Sequence, residues 1–191
     1  MRFGWNGLSG FEQRREVQQI IIHPDFNSAT SDSDIALLKM TSPVALGDNV
    51  DIVALPELDD GSVEYPEGTR FRLAGYSSTL QDPITPILTR SLQSSCLRCS
   101  DEATVSGTKC NILLESDGST NLVATQNTIC TGAVGSGSCG AGAGSTLITA
   151  NSNGRSYIVG ITFMRSNCGN PIGSLHTRVD KFLAFIRGNM N

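Results

Sequence analysis

The segment Ile129–Ile148 reads ICTGAVGSGSCGAGAGSTLI, a glycine-rich stretch with two cysteines that runs into an apolar, strand-like end. Glycines at this density mark a backbone that approaches something closely or visits positive φ. A cysteine within such a loop ties it down. Loops with this composition occur where backbone N–H groups are aimed at a developing negative charge.

Outward from this stretch the chain reads as short strands. Downstream, Thr146–Ala150 and Tyr157–Phe163 flank Asn151–Gly154, and Asn153-Gly154 is a strong hairpin signal. Val179, Phe182, Leu183 and Ile186 share one helical face, so a short amphipathic helix is expected over Val179–Arg187. Upstream, Gly68–Gly75 sets Phe71, Leu73 and Gly75 against Arg70, Arg72 and Ala74, the pattern of a half-buried strand. Val17–Ile22 reads as a buried strand ended by His23-Pro24, because proline cannot donate to the ladder. Ile35–Met40 and Val50–Leu55 read as further strands, and Phe26–Asp34 as a polar loop. Many short strands, one terminal helix and no internal repeat indicate an all-β barrel.

The 191 residues allow one domain or two small barrels. A formal net charge of -4 argues against nucleic acid or an anionic membrane as partner. No apolar run is long enough to span a bilayer, and MRFGWNGLSG has no apolar signal core. The acidic stretch Glu57, Asp59, Asp60 and Glu64 reads as a solvated connector. Spacing alone does not fix the connectivity of the six cysteines. Cys96 and Cys99 read as a local or mutual disulfide or as free thiols. A zinc site with Cys110 and Cys130 is the weaker alternative, and a thioredoxin-like role for the C-x-x-C lacks the surrounding βαβ pattern.

Four ordered segments resemble the trypsin/chymotrypsin-like serine proteases. Ile129-Cys130-Thr131-Gly132, then Ser138-Cys139, Gly144 and Leu147, are similar to the family's ICAG and DSCQGDSGGPL nucleophile loop. Arg14–Leu38 is similar to its strand-plus-aspartate segment, Gly68–Thr79 to the start of its second barrel, and His176–Ile186 to its closing strand and helix. The resemblance implies an all-β, trypsin-like double antiparallel β-barrel with a short C-terminal helix. The N-terminal barrel would be incomplete: residues 1–60 would form its second half, and residues 61–191 the C-terminal barrel and helix. It also implies the disulfides Cys110–Cys130 and Cys139–Cys168, an oxidising, extracellular compartment, and no cofactor or metal.

The departures from that family pattern bear on function. Ala143 stands at the nucleophile position and has no heteroatom to attack a carbonyl. Gly142 replaces the aspartate that receives the new N-terminus on activation. The oxyanion-hole positions fall on Ala141 and Ala143. Asp34 matches the triad aspartate, yet only His23 precedes it, and neither a TAAHC-like nor an IVGG-like segment is present. His23 is expected to be structural, and His176 to pack at the base of the specificity pocket. Ser145 is a poor substitute nucleophile, because shifting the register places Thr146 where glycine is needed. The pocket residues implied are Gly137, Phe163, Met164, Arg165 and Ser174. Gly137 leaves the floor without the counter-charge that selects Arg or Lys, and Arg165 would narrow the entrance. Phe163 replaces a serine that bonds the aspartate, and a one-residue shift would put Thr162 there.

The expected function is that of a secreted serine-protease homologue that binds or regulates rather than hydrolyses. It would act as a monomer on a protein or peptide ligand. The alternative is a serine endopeptidase whose histidine half is missing from this chain, or whose serine was replaced to trap a complex. A gene fragment without function is the third reading.

Overall fold

The computed structural model describes residues 1–4, 13–57, 64–76, 97–116, 118, 121–133, 142–150, 154–165 and 173–190. Ten strands run in order: β1 (Arg2–Phe3), β2 (Gln13–Arg14), β3 (Val17–Ile22), β4 (Ala36–Met40), β5 (Arg70–Gly75), β6 (Arg98–Val105), β7 (Thr128–Ala133), β8 (Thr146–Ala150), β9 (Ser156–Arg165) and β10 (Ser174–Arg178). Helix α1 (Gly107–Ser116) follows β6. A 3-10 turn (Asp180–Phe182) leads into α2 (Leu183–Gly188). Six strands close into an antiparallel barrel in the order β10-β7-β6-β5-β8-β9. Closure removes the strand edges that an open sheet would expose.

Alternation fills the barrel. In β5, Phe71, Leu73 and Gly75 are buried while Arg70 and Arg72 face solvent. Phe71 and Leu73 join Ile129, Leu147 and Val159 in the central cluster. The opposite phase of four neighbouring strands gives an outer row, Val105↔Cys130↔Leu175↔Met164. Helix α1 covers that row through Cys110 and Leu114. Cys110, Leu113 and Leu114 lie at i, i+3 and i+4 and so share one helical face. Gly118, at φ +78, ends the helix by donating its N–H to the Glu115 carbonyl. The expectation of a single terminal helix is therefore corrected. The stripe in α1 is short, and the sheet it covers supplies most of its packing.

The terminal helix sits where its pattern placed it, as a 3-10 turn continuing into an α-helix. Val179, Phe182, Leu183 and Ile186 pack on Ile35, Ile158 and Ile161, joining the N-terminal segment to the barrel. Buried Asp180 takes a hydrogen bond of 3.0 Å from Arg178 Nε and a second from Nη2. The Arg178 guanidinium also lies 5.2 Å from the Tyr65 ring centroid. Burial and the neighbouring Asp180 push the Tyr65 phenol up to about 12.

Two strand expectations change. Val17–Ile22 forms β3 but is not buried. Ile20 is 61% and Ile22 59% exposed, and the register sets Ile20 opposite Leu38, 42% exposed, on one open apolar face. Among the described residues β3 pairs only with β4. Val50–Leu55 makes only isolated bridges, Gly47↔Val50 and Ala54↔Tyr157, and no strand.

Cys110 and Cys130 are joined by a disulfide that clips α1 to β7 across 20 residues of sequence. Cys99 is a free, exposed thiol. A zinc site using Cys110 and Cys130 is therefore excluded, since both thiolates are consumed. Cys96, Cys139 and Cys168 lie outside the described residues. Closing a loop of this length stabilises the fold by about 3 kcal/mol in the chain-entropy account. Cys110→Ala/Cys130→Ala is expected to lose that amount in denaturant unfolding, and an unchanged midpoint would contradict it.

Candidate functional site

The loop before β4 places Asp34. Asn27 Oδ1 accepts from the Ala29 and Thr30 N–H groups, folding the loop back on itself. Asp32 then accepts from Thr125 Oγ1 at 2.8 Å and Asn127 Nδ2 at 3.3 Å, which ties the loop to the start of β7. Ser31 and Ser33 both sit at φ 56, a left-handed conformation that small polar residues tolerate better than bulky ones. The Ile35 N–H donates to the Ser33 carbonyl across Asp34, and Thr177 Oγ1 donates to the Asp34 carbonyl at 2.9 Å.

Among the described residues no cation pairs with Asp34, and no hydrogen bond reaches its carboxylate. Burial pushes its carboxyl above the ordinary aspartate range. Neither Phe163 nor Thr162, the two candidates for the serine position that bonds the aspartate, hydrogen-bonds Asp34. Thr162 is turned inward and contacts His176, while Phe163 and Met164 pack into the cluster beneath α1.

Ala143 lies in an exposed turn, Gly142–Ser145. The Ser145 N–H donates back to the Gly142 carbonyl, and Gly144 has φ +83. Two backbone bonds fasten this turn to β9. Gly144 N–H donates to the Thr162 carbonyl at 2.7 Å, and Thr162 N–H donates to the Ser145 carbonyl at 2.8 Å. Asp34 hangs from Thr177 and the Ala143 turn from Thr162, and β10 pairs with β9 at His176↔Thr162 and Thr177↔Ile161. The two positions are thus anchored one register step apart. Ser145 itself is buried, packed where a Cβ on Gly75 would strike it.

The largest departure from expectation lies inside the barrel. His176 is fully buried, with Nε2 2.8 Å from Thr131 Oγ1 and Nδ1 3.0 Å from Thr162 Oγ1. Thr131 Oγ1 also bonds Glu102 Oε2, and Glu102 is fully buried. His176 Nε2 stands 3.7 Å from that carboxylate oxygen. Ser174 is buried too, and its hydroxyl has no partner among the described residues. Gly160 makes room for the imidazole: a Cβ there would lie 2.9 Å from His176 Cβ. Glu102 was not singled out in the sequence, Thr131 entered only within the Ile129–Gly132 match, and Thr162 only as a shifted alternative near Asp34. Around Glu102 the chain reads RCSDEATV, with no apolar alternation to mark a strand.

His23 is structural as expected. Its ring lies edge-on to Phe182 and Phe185, at 4.9 and 4.7 Å, and its Nδ1 accepts the Asp25 N–H. Of the other expected site residues, Gly137 and Ala141 lie outside the described residues. For Arg165 only the backbone, paired with Ser174, is described. Among the described residues no cluster of His, Cys, Asp and Glu has the make-up of a metal site.

A closed antiparallel barrel, a disulfide-clipped helix and an aspartate and a glycine turn hung from adjacent strands define a chymotrypsin-like peptidase architecture. The trypsin family profile matches residues 5–186, and the chain belongs to the trypsin family. It is 29% identical over 192 residues to human tissue-type plasminogen activator, covering 94% of this chain and 32% of that protein. It is 29% identical over 185 residues to rat serine protease 1, covering 95% of this chain and 66% of that one. Rat cationic trypsin-3 is 32% identical over 103 residues, covering 54% of this chain and 37% of its own length. The chain thus spans about a third of the activator's length and about two thirds of the serine protease's.

Two substitutions follow. With its folded pKa raised, Asp34 holds an extra proton in the folded state between the unfolded and folded values, so its contribution to stability falls as pH rises through that interval. Asp34→Asn is therefore expected to be more stable than the parent at neutral pH. The advantage should shrink on titration down to about pH 4, as read by urea midpoints; a gap that widens on acidification would contradict it. Ser174→Ala removes an unpartnered hydroxyl and is expected to leave stability unchanged or to raise it by about 1 kcal/mol. A clear loss would show that the hydroxyl is bonded.

Proposed function

We propose that this chain is a trypsin-family homologue that binds a protein or peptide without hydrolysing it. The observation that carries the reading is the fate of its two histidines. One is sealed inside the barrel with both ring nitrogens occupied, and the other is packed on the C-terminal helix. The buried imidazole is closed to a substrate, and the other is held against the rings of Phe182 and Phe185. At the position where the family carries its nucleophile, the turn presents the methyl group of Ala143. Triad members act as a unit, so loss of the nucleophile or the base alone costs several orders of magnitude in kcat.

The disulfide supports an oxidising, extracellular setting. The acidic net charge supports a protein or peptide ligand over nucleic acid or an anionic membrane, with the chain acting as a monomer. No described helix is long and apolar enough to cross a membrane. In this reading residues 1–60 belong to a first barrel and residues 61–191 to the second. Ala141 and Ala143 stand at the oxyanion-hole positions, and Gly137, Phe163, Met164, Arg165 and Ser174 about the pocket. A histidine supplied from outside this chain would leave Ala143 unchanged, which weighs against the endopeptidase alternative.

The test restores the hydroxyl. Ala143→Ser in this chain is expected to remain about a millionfold below an intact triad in kcat on a peptide library, because the chain's two histidines are held elsewhere, inside the barrel and against the C-terminal helix. The unsubstituted natural protein is expected to resist fluorophosphonate labelling. Turnover by that natural protein, abolished by a serine-directed inhibitor, overturns the proposal.

A further inference from the structure

The protons shared between Thr131, His176 and Thr162 can be assigned by counting. Thr131 Oγ1 lies against Glu102 Oε2 and His176 Nε2, with the Ser174 carbonyl farther off at 3.5 Å. A hydroxyl has one proton to give, whereas an ionised carboxylate only accepts. If Thr131 donates to Glu102, it accepts from His176 Nε2–H, and His176 Nδ1 accepts from Thr162 Oγ1. In that direction each donor is used and the chain ends on an acceptor. In the reverse direction Glu102 donates and Nδ1–H reaches Thr162. The Thr162 proton is then left, inside a buried side chain, with no acceptor among the described residues. An unmade bond of that kind is costly. Nε2, 3.7 Å from the carboxylate, also favours the forward direction.

Thr162 is the hinge between this chain and the surface. Its side chain faces His176, while its backbone N–H and carbonyl bond Ser145 and Gly144, the last two residues of the Ala143 turn. We propose that Thr162, His176, Thr131 and Glu102 form a one-way hydrogen-bond relay that positions the Ala143 turn from inside the barrel. His176 is then a positioning residue, held as the Nε2–H tautomer. The relay spans β9, β10, β7 and β6, four successive barrel strands, so the turn's placement is linked to a carboxylate three strands away. This proposal does not depend on whether the protein hydrolyses peptides.

The test is by nuclear magnetic resonance on the intact chain. Nitrogen-15 correlation spectra are expected to show His176 with its proton on Nε2, and an Nδ1–H signature overturns the relay. Thr131→Val keeps the shape and removes the hydroxyl. It is expected to release the tautomer and to speed amide exchange at Gly144 by about tenfold relative to Leu147 in the same barrel. Thr131→Ser is expected to restore both. A folded Thr131→Val with unchanged tautomer and unchanged Gly144 exchange overturns the proposal. If that variant does not fold, the tautomer of the unsubstituted protein decides alone.

Discussion

The antiparallel pairing of β9 with β10 is the contact from which the other parts of the molecule take their positions. Asp34 is fastened to Thr177 on one of these strands and the Ala143 turn to Thr162 on the other. The outward side of the pair meets α1, and Ile158 and Ile161 of β9 meet α2. The pairing shifts register between Leu175 and His176. An extra residue at such a point re-aims the side chains that follow it, and here it falls where the imidazole enters the barrel.

What fills the barrel is unusual for a core. Apolar Leu73, Leu147 and Val159 share the interior with Glu102, Thr131, Thr162, Ser174 and His176, and Phe71 stands opposite Glu102 in the register. Burying a carboxylate is costly unless it is hydrogen-bonded, and Thr131 supplies a bond from the next strand. An apolar filling of the same volume would contribute at least as much stability. A polar filling is satisfied by few arrangements, and so restricts how the strands can slide past one another.

Much of the fold was legible in the sequence, for identifiable reasons. The alternation in Arg70–Gly75 follows directly from one face being core. β8 and β9, on either side of the Asn153-Gly154 signal, pair antiparallel, and Gly154 takes φ +75. The stripe Val179, Phe182, Leu183 and Ile186 docks as read. β6 was not legible, because its inward residues include Glu102 and Thr104, and alternation of polar with polar carries no signal. The exposure of β3 was not legible either, since VQQIII has the composition of a buried strand. In the candidate site, the identities of Ala143 and Asp34 could be read from local motifs. The inward turn of Thr162 could not, because it depends on which strand lies opposite.

Gly160 and His176 have a consequence for how this sequence can change over generations. Gly160 pairs with Arg178 and so lies diagonally beside His176 across β9 and β10, and the glycine's missing methyl is the space the histidine's Cβ uses. Leu147 closes the same space from β8, at 3.5 Å from where that methyl would be. That Cβ is present in any residue but glycine at 176, so shrinking the imidazole does not free the site. A lineage can enlarge residue 160 only by shifting the β9 or β10 backbone. The substitutions open to descendants of this chain are therefore limited by one absent carbon atom.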